Sequence, residues 1–201
     1  MRNHYLVDNP APNLPKKRGN NLSITNWANK QGLLIDTQIL NITQKNNEKL
    51  KHKKAWVAMS RDDKKELIEI RRLRSIFDTK ITEFVPTIIE VSYISPNLLP
   101  GFYEFYSTPK NRMIGFHDYF ESQGLVLIKS TYDLTTKNLN KLHMPFWKKY
   151  DKKFKKSKHF LRMTVVTYCN KGPVEFSQSY IDPNILSINV PIVNLKYHVE
   201  Y

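Results

Sequence analysis

The chain has 201 residues, of which 40% are hydrophobic and 12% aromatic, so it can bury one sizeable core but is short for two domains. Its charged fraction of 25%, mixed with many apolar residues, excludes intrinsic disorder, and 6 Gly with 11 Pro exclude a fibrous protein. The formal net charge of +14 favours an anionic partner.

Cysteine content and the length of apolar runs indicate the compartment. Cys169 is the only cysteine, which excludes an internal disulfide and a cysteine-based zinc site and fits a reducing environment. No signal-peptide core follows Met1, and no apolar run approaches the roughly 20 residues that span a bilayer. We therefore expect a cytoplasmic protein with no membrane partner.

Two lysine-rich runs carry much of the positive charge. One extends from Lys148 to Lys158, and the other covers residues 45–54. Such runs are usually solvated surface, and non-specific attraction of phosphate is the alternative. A basic nucleic-acid-binding module is therefore one rival hypothesis.

The chain order of predicted elements indicates hairpins with a few helices between them. Residues 1–21 lack periodicity and predict a tail or linker, after which Ser23 or Thr25 caps a short helix. Hairpin-linked strands outnumber helices, which predicts an α+β fold with an antiparallel sheet of about six strands flanked by helices. The elements are a strand from Leu33, a helix over 47–59, strands over 66–76 and 84–94, a helical turn over 96–105, a helix over 113–123, a strand over 125–131, a helical or irregular stretch over 134–150, strands over 160–169 and 174–180, and a final apolar segment over 185–193.

Charged side chains interrupt apolar faces in three of these strands. Arg72 and Arg74 continue a line of isoleucines, because successive side chains alternate between the two faces of a strand. Glu90 and Ser92 interrupt the apolar face of the partner strand, and Glu175 shares a face with two serines of the last hairpin. Burying an unpaired charge costs free energy. Each of these charged residues should therefore form an ion pair, lie at the edge of the sheet or bind a ligand.

Two interpretations of these charges are open. In the first, Arg72 or Arg74 forms a salt bridge with Glu90 or Glu175 at the rim of the core. In the second, two guanidinium groups about 7 Å apart along the strand clamp a phosphate or carboxylate, while a glutamate accepts from ligand hydroxyls or an amine. The second interpretation suits a small polar anionic metabolite.

Other chemical motifs are weak. His117 and Asp118 make half of an acid–base pair, but no nucleophile elbow, glycine-rich phosphate loop or histidine cluster with metal-ligand spacing accompanies them. We interpret His117 as an ordinary, partly exposed histidine and Cys169 as a structural thiol. The sequence predicts no catalytic residue, no metal and no cofactor.

Four short segments follow one another along the chain. They are Ile-Arg-Arg-Leu-Arg at 70–74, Pro-Thr-Ile-Ile-Glu-Val-Ser-Tyr-Ile at 86–94, Leu-Leu-Pro-Gly at 98–101 and Gly-Pro-Val-Glu-Phe-Ser-Gln-Ser-Tyr at 172–180. In this order they resemble the UTRA domain, the effector-binding domain of the HutC subfamily of GntR-type bacterial transcription regulators. The fold of that domain is similar to chorismate lyase.

The resemblance implies roles for the charged residues. Arg72 and Arg74 match the Arg-x-Arg that binds the anionic part of the effector, and Glu90 and Glu175 match two pocket glutamates. Ser23 and Thr25 match the Ser-x-Thr that opens the domain, and Ser92 shares the face of Glu90. The predicted ligand-binding residues are therefore Arg72, Arg74, Glu90, Ser92, Glu175, Ser23 and Thr25.

Some positions depart from the family pattern. Gly115 stands where many members carry a serine, and Ile181-Asp182-Pro183 replaces an aromatic-Arg-x-Asp run. Members carry an N-terminal winged helix-turn-helix of about 70 residues, whereas about 20 residues precede the resemblance here. The expected organisation is a tail over 1–21, an effector-binding domain over 22–195 and a C-terminal tail over 196–201, without a winged helix.

These observations lead to a ranked set of functions. We expect a non-enzymatic ligand-sensing domain of a transcription regulator, which binds a sugar phosphate, an organic acid or an amino acid and pairs with itself as a homodimer. It reaches DNA only through a winged helix missing from this chain. The alternatives are an enzyme of the chorismate-lyase kind and the basic nucleic-acid-binding module.

Overall fold

The computed structural model of the chain describes residues 32–46, 58–59, 66–138, 159–182 and 196–197. Of the helix predicted over 47–59, only residues 58 and 59 are among these, and both are helical. Ser23, Thr25, the tail over 1–21, the lysine run over 148–158 and the apolar segment over 185–193 lie outside the described residues.

The described residues form a seven-stranded sheet with two short α-helices between its third and fourth strands. The strand order is β1-β2-β3-β6-β5-β4-β7, and neighbouring strands are antiparallel except β4 and β7, which are parallel. The α+β prediction is confirmed, and the two-residue β7 adds to the six expected strands. The elements are β1 (Ile35–Asn46), β2 (Glu66–Asp78), β3 (Glu83–Ile94), α1 (Phe102–Ser107), a 3-10 helix (Pro109–Met113), α2 (Phe116–Ser122), β4 (Leu127–Asn138), β5 (His159–Cys169), β6 (Gly172–Ile181) and β7 (Lys196–Tyr197).

The predictions around the helices and β4 need correction. The prediction of a helical or irregular stretch from residue 134 is wrong over 134–138, because these residues continue β4 and pair with β5. The helix predicted over 113–123 is confirmed as α2 but is shorter, Phe116–Ser122, because Met113 ends a preceding 3-10 helix. Gly115 has extended backbone angles at the N-cap of α2, and this separates the two helices.

Register places the charged residues on one face of the sheet. Directly opposed residues of antiparallel strands share a face, so the strand pairing decides which side chains meet. A register shift interrupts the pairing of β2 with β3, since Arg74 lies opposite Ile88 but Ser75 lies opposite Pro86. Before this β-bulge, three successive rows cross β2, β3 and β6: Arg72–Glu90–Ser179, Ile70–Ser92–Ser177 and Ile68–Ile94–Glu175.

The charged rows lie between two apolar clusters on that face. Aromatic side chains of α1 and α2, among them Phe102 and Phe116, cover one end of it and pack with Ile68, Ile70 and Ile94. Farther along β3 and β6, a second buried cluster contains Ile76, Ile88, Met163 and Ile181. On the opposite face, Met59 packs with Leu67, Val91, Tyr93 and Phe176.

Candidate functional site

Four predicted site residues meet in the interior of the described sheet. Arg72, Arg74, Glu90 and Glu175 are between 3% and 7% exposed and come from three adjacent strands. We call these four residues the charged cluster. The first interpretation places the arginine–glutamate pairs at the rim of the core, and the structure shows such pairs inside it.

Glu90 is the central acceptor of the charged cluster. Its Oε1 accepts a hydrogen bond from Arg72 Nη2 and lies 3.0 Å from the hydroxyl of Ser92. Its Oε2 lies 3.1 Å from the hydroxyl of Ser179 and 3.5 Å from Arg74 Nη2. Arg72 and Arg74 thus contact different oxygens of the Glu90 carboxylate, and the single proton of the Ser92 hydroxyl is shared between Glu90 Oε1 and Glu175 Oε1, each 3.0 Å away.

Arg72 lies between two carboxylates and an aromatic ring. Besides its contact with Glu90, its Nη2 is 3.8 Å from Glu175 Oε1. The guanidinium carbon is 3.6 Å from the centre of the Phe116 ring, a cation–π contact. Its Nε is buried with no hydrogen-bond partner among the described residues. Burial lowers the pKa of Arg72 to about 10, and the negative charge of Glu175 opposes that shift.

Arg74 makes a longer contact with Glu90 than Arg72 does. Its Nη2 reaches Glu90 only at 3.5 Å, near the upper limit for a hydrogen bond. Burial and the positive charge of Arg72 together hold the pKa of Arg74 well below its usual range, although Glu175 raises it. An additional negative charge next to Arg74 would therefore stabilise the guanidinium.

Glu175 connects the charged cluster to helix α2. Its Oε1 is 3.0 Å from Ser92 Oγ, and its Oε2 is 3.7 Å from His117 Nε2. Burial raises the pKa of Glu175, but His117, Arg72 and the Ser92 hydroxyl outweigh burial and leave the pKa below its ordinary value. Glu175 is therefore a carboxylate at neutral pH.

Three neighbours of the charged cluster were missing from the predicted set. They are Ser179, Phe116 and His117. Strand alternation was a usable signal for Ser179, since it shares a face with Glu175. No sequence signal identified Phe116 or His117, because their contact depends on where α2 crosses the sheet.

The structure adds two findings about other kinds of site. Within the described ranges, no group of three or more His, Cys, Asp or Glu residues is arranged to hold a metal ion. None of the helices described here has the length and apolarity that crossing a bilayer requires. Cys169 is buried in the apolar cluster beneath the helices, as a structural thiol would be.

Comparison with known proteins gives structural matches only. No protein-family model matches the sequence, and no curated protein shows significant similarity to it. A GntR-family transcriptional regulator from Bacillus cereus is similar, with 18% identity and a TM-score of 0.56, over 79% of this chain and 99% of that one. PhnF from Mycobacterium smegmatis has 13% identity and a TM-score of 0.63, over 88% of this chain and 68% of that one.

A structure of the effector domain alone allows a direct comparison. The effector domain of PhnF from Mycobacterium smegmatis is 12% identical, with a TM-score of 0.61, over 89% of this chain and 94% of that domain. At these identities the similarity is one of fold. The chain has the α+β, chorismate-lyase-like fold of the effector domains of GntR-family transcription regulators.

Proposed function

We propose that this chain is the ligand-sensing domain of a GntR-type transcription regulator of the HutC subfamily, and that the charged cluster binds a small polar anion. The shared fold supports the regulatory role, and the buried cluster supports the ligand class. A sugar phosphate, an organic acid or an amino acid offers the oxygen acceptors that guanidinium groups bind. We further propose that the domain works in the cytoplasm as a homodimer.

The observation that carries this proposal is the position of Arg74. Two guanidinium groups are buried within reach of one Glu90 carboxylate, and the second of them has its pKa depressed by burial and by the first. Two guanidinium groups therefore lie against the same carboxylate, and a bound anion that accepts from them would add a further negative charge beside the pair.

The contacts suggest how binding alters the domain. Arg72 is shared between Glu90, Glu175 and the Phe116 ring, so it joins the sheet to helix α2. An anion that draws a guanidinium group away from Glu90 changes the balance of these contacts. The ligand thereby favours one of two positions of α2 on the sheet, which is the differential interaction that a population shift requires.

The rival functions have less support. Several of the solved structures that share the fold are named as transcriptional regulators, which favours a non-enzymatic role over a chorismate-lyase-like one. The nucleic-acid hypothesis depends on the lysine runs, and the run over 148–158 lies outside the described residues.

The test is ligand-induced thermal stabilisation of an arginine variant and its matched control. Arg74→Ala should change the melting temperature without ligand by at most about 3 °C, because it removes a desolvated charge and relieves repulsion from Arg72. It should lose the rise that sugar phosphates, organic acids or amino acids give the unmutated protein, about 5–10 °C at one hundred times Kd. Arg71→Ala, on the opposite face of the same strand, should retain that rise.

Two outcomes would contradict the proposal. A collapse in the stability of unliganded Arg74→Ala would show that this arginine is structural and that a ligand site lies elsewhere. A ligand-induced rise that survives in Arg74→Ala would exclude Arg74 from anion binding.

A further inference from the structure

Three polar side chains on the face of the sheet opposite the charged cluster carry buried atoms with no hydrogen-bond partner among the described residues. The atoms are Asp133 Oδ1 and Thr135 Oγ1 on β4, and Arg162 Nε on β5. Buried polar groups are nearly always paired with protein, water or a ligand. One acceptor, one donor and one hydroxyl that can do either therefore indicate a place that another molecule completes.

The register of β4 and β5 brings these three residues together. Thr135 lies directly opposite Arg162, and Asp133 is the next residue of β4 on the same face, opposite Thr164. Directly opposed residues have Cβ atoms about 5 Å apart, and diagonal neighbours are about 7–8 Å apart. Each of the three buried atoms is only a few bonds from its own backbone, so its position follows the position of its residue in the strand. We call Asp133, Thr135 and Arg162 the β4–β5 patch.

The packing of β5 shows that the β4–β5 patch and the charged cluster lie on opposite faces. Met163, the residue after Arg162, packs in the apolar cluster that lies beside the charged cluster. Val166, on the same face as Arg162 by strand alternation, packs against the buried cluster of the other face. The pairings of β5 with β4 and with β6 have no register shift between residues 162 and 166. The β4–β5 patch therefore shares no side chain with the charged cluster.

The β4–β5 patch has a buried centre and charged groups that reach solvent. Thr135 is 5% exposed, whereas Asp133 and Arg162 are half-buried. Tyr180 lies opposite Arg162 on β6. Burial raises the pKa of Tyr180, and the positive charge of Arg162 opposes that shift, as expected for a guanidinium group close to the phenol. A small solute can therefore reach both charged side chains of the patch from the solvent.

The opposite charges of the β4–β5 patch restrict the chemistry of a ligand. The guanidinium group of Arg162 binds carboxylate oxygens, and the carboxylate of Asp133 accepts hydrogen bonds from an ammonium group. Phosphate would satisfy Arg162 but would be repelled by Asp133, and a metal cation would be repelled by Arg162. A small zwitterion satisfies both groups at once. The Thr135 hydroxyl, between them at the centre, can donate to its carboxylate.

We propose that the β4–β5 patch is a second binding site, which takes a free α-amino acid with its carboxylate on Arg162 and Thr135 and its ammonium group on Asp133. This inference does not rest on the proposed function, because the two sites lie on opposite faces of the sheet. An amino acid is also one of the ligands proposed for the charged cluster. The experiment must therefore separate binding on the two faces.

NMR titration of the full chain with each standard amino acid in turn is the test. At least one amino acid should shift the backbone amide resonances of residues 133–135 and 162–164 in a saturable way. Its N-acetyl derivative lacks the ammonium group, and its carboxamide derivative lacks the carboxylate. Each derivative should bind about 10- to 100-fold more weakly than the parent amino acid, because it loses one charged hydrogen-bonding group.

Variants of nearly unchanged shape identify the side chains that bind. Arg162→Lys and Asp133→Asn should each weaken binding of that amino acid about 10- to 100-fold. Arg71→Lys, on the same face but on β2, is the matched control and should bind like the unmutated protein. Arg74→Ala, in the charged cluster, should also retain the shifts of residues 133–135. Melting temperatures without ligand verify that all four variants are folded.

Three results would overturn the inference. If no amino acid shifts these resonances, water completes the β4–β5 patch and no ligand site exists there. Binding that is lost in Arg74→Ala but retained in Arg162→Lys would assign the amino acid to the charged cluster and leave the proposed function intact. Equal affinity for an amino acid and its N-acetyl derivative would show that Asp133 does not bind an ammonium group, which excludes the zwitterion.

Discussion

Arg71 and Arg72 are neighbours in β2, yet their ion pairs have opposite characters. Arg71 contacts Glu69 on the same strand, with Nε and Nη2 each 3.0 Å from Oε1, and its side chain is 30% exposed. The side chain of Arg72, on the other face, is 9% exposed, and it shares Glu90, on the adjacent strand, with Arg74.

The comparison shows that access to water determines how strongly an ion pair responds to a change in nearby charge. In the Arg71–Glu69 pair the carboxylate is buried and also accepts a hydrogen bond from Tyr93, but the guanidinium group is partly exposed and can be solvated by water. In the charged cluster water is excluded, two guanidinium groups share one carboxylate, and hydroxyls supply further donors. The first pair reaches water on its guanidinium side, whereas the second is buried on both sides and is sensitive to any added charge.

Replacing each glutamate tests this difference most directly and should have the largest effect. Glu90→Ala leaves two buried guanidinium groups without their shared carboxylate and should lower the free energy of unfolding by about 3–5 kcal/mol. Glu69→Ala should lower it by only about 1–2 kcal/mol, since Arg71 can turn to water. Equilibrium unfolding in urea measures both, and equal losses would contradict the distinction between the two faces.

The pH dependence of stability gives a second, smaller test. The pKa of Glu175 is lower in the folded protein than its ordinary value, so its contribution to stability is fully present above the unfolded pKa. That contribution is lost as the pH falls through the folded pKa. Glu175→Gln should therefore be less stable than the unmutated protein at pH 7, and the difference should shrink as the solution is acidified below about pH 4.5.

Thermal unfolding across that pH range provides the measurement. Glu66→Gln, at the exposed start of β2, controls for the change in net charge. A stability difference that stays constant as the pH falls would show that Glu175 contributes by packing and not by its charge.

Replacing Ser179, one of the two serines that donate a hydrogen bond to Glu90, should have the smallest effect on stability. Ser179→Ala removes the hydroxyl 3.1 Å from Glu90 Oε2 and should lower the free energy of unfolding by about 1.5 kcal/mol. Gln178→Ala, the next residue on the opposite face, should change it by less than about 0.5 kcal/mol. Urea unfolding would reject this assignment if the two variants lost equal stability.

The sequence predicted those parts of the site that depend on local geometry. Alternation within a strand placed Arg72 with Arg74 and Glu90 with Ser92, because the period of two is a property of the backbone. The antiparallel hairpin then brought Arg72 opposite Glu90. These steps involve neighbouring strands joined by a short connection.

The sequence could not predict the contacts that depend on tertiary placement. His117 meets Glu175 because α2 packs on the face of the sheet that carries Glu175, and no spacing within the sequence encodes that packing. The extension of β4 to Asn138 was missed for a similar reason. Its residues 134–138 are mostly polar, and their extended form depends on pairing with the distant strand β5.

Because the charged cluster is arranged in rows across the strands, it should tolerate substitutions better than insertions or deletions. A substitution at any one position changes one partner and leaves the other rows in place. Insertion or deletion of a single residue in β3 between the bulge at Thr87 and Glu90 would turn every following side chain of the strand to the opposite face. Glu90 and Ser92 would then exchange places with Ile89 and Val91. Insertion or deletion of one codon in this stretch is therefore more damaging than insertion or deletion of two. Two added or removed residues restore the alternation of side chains between the two faces.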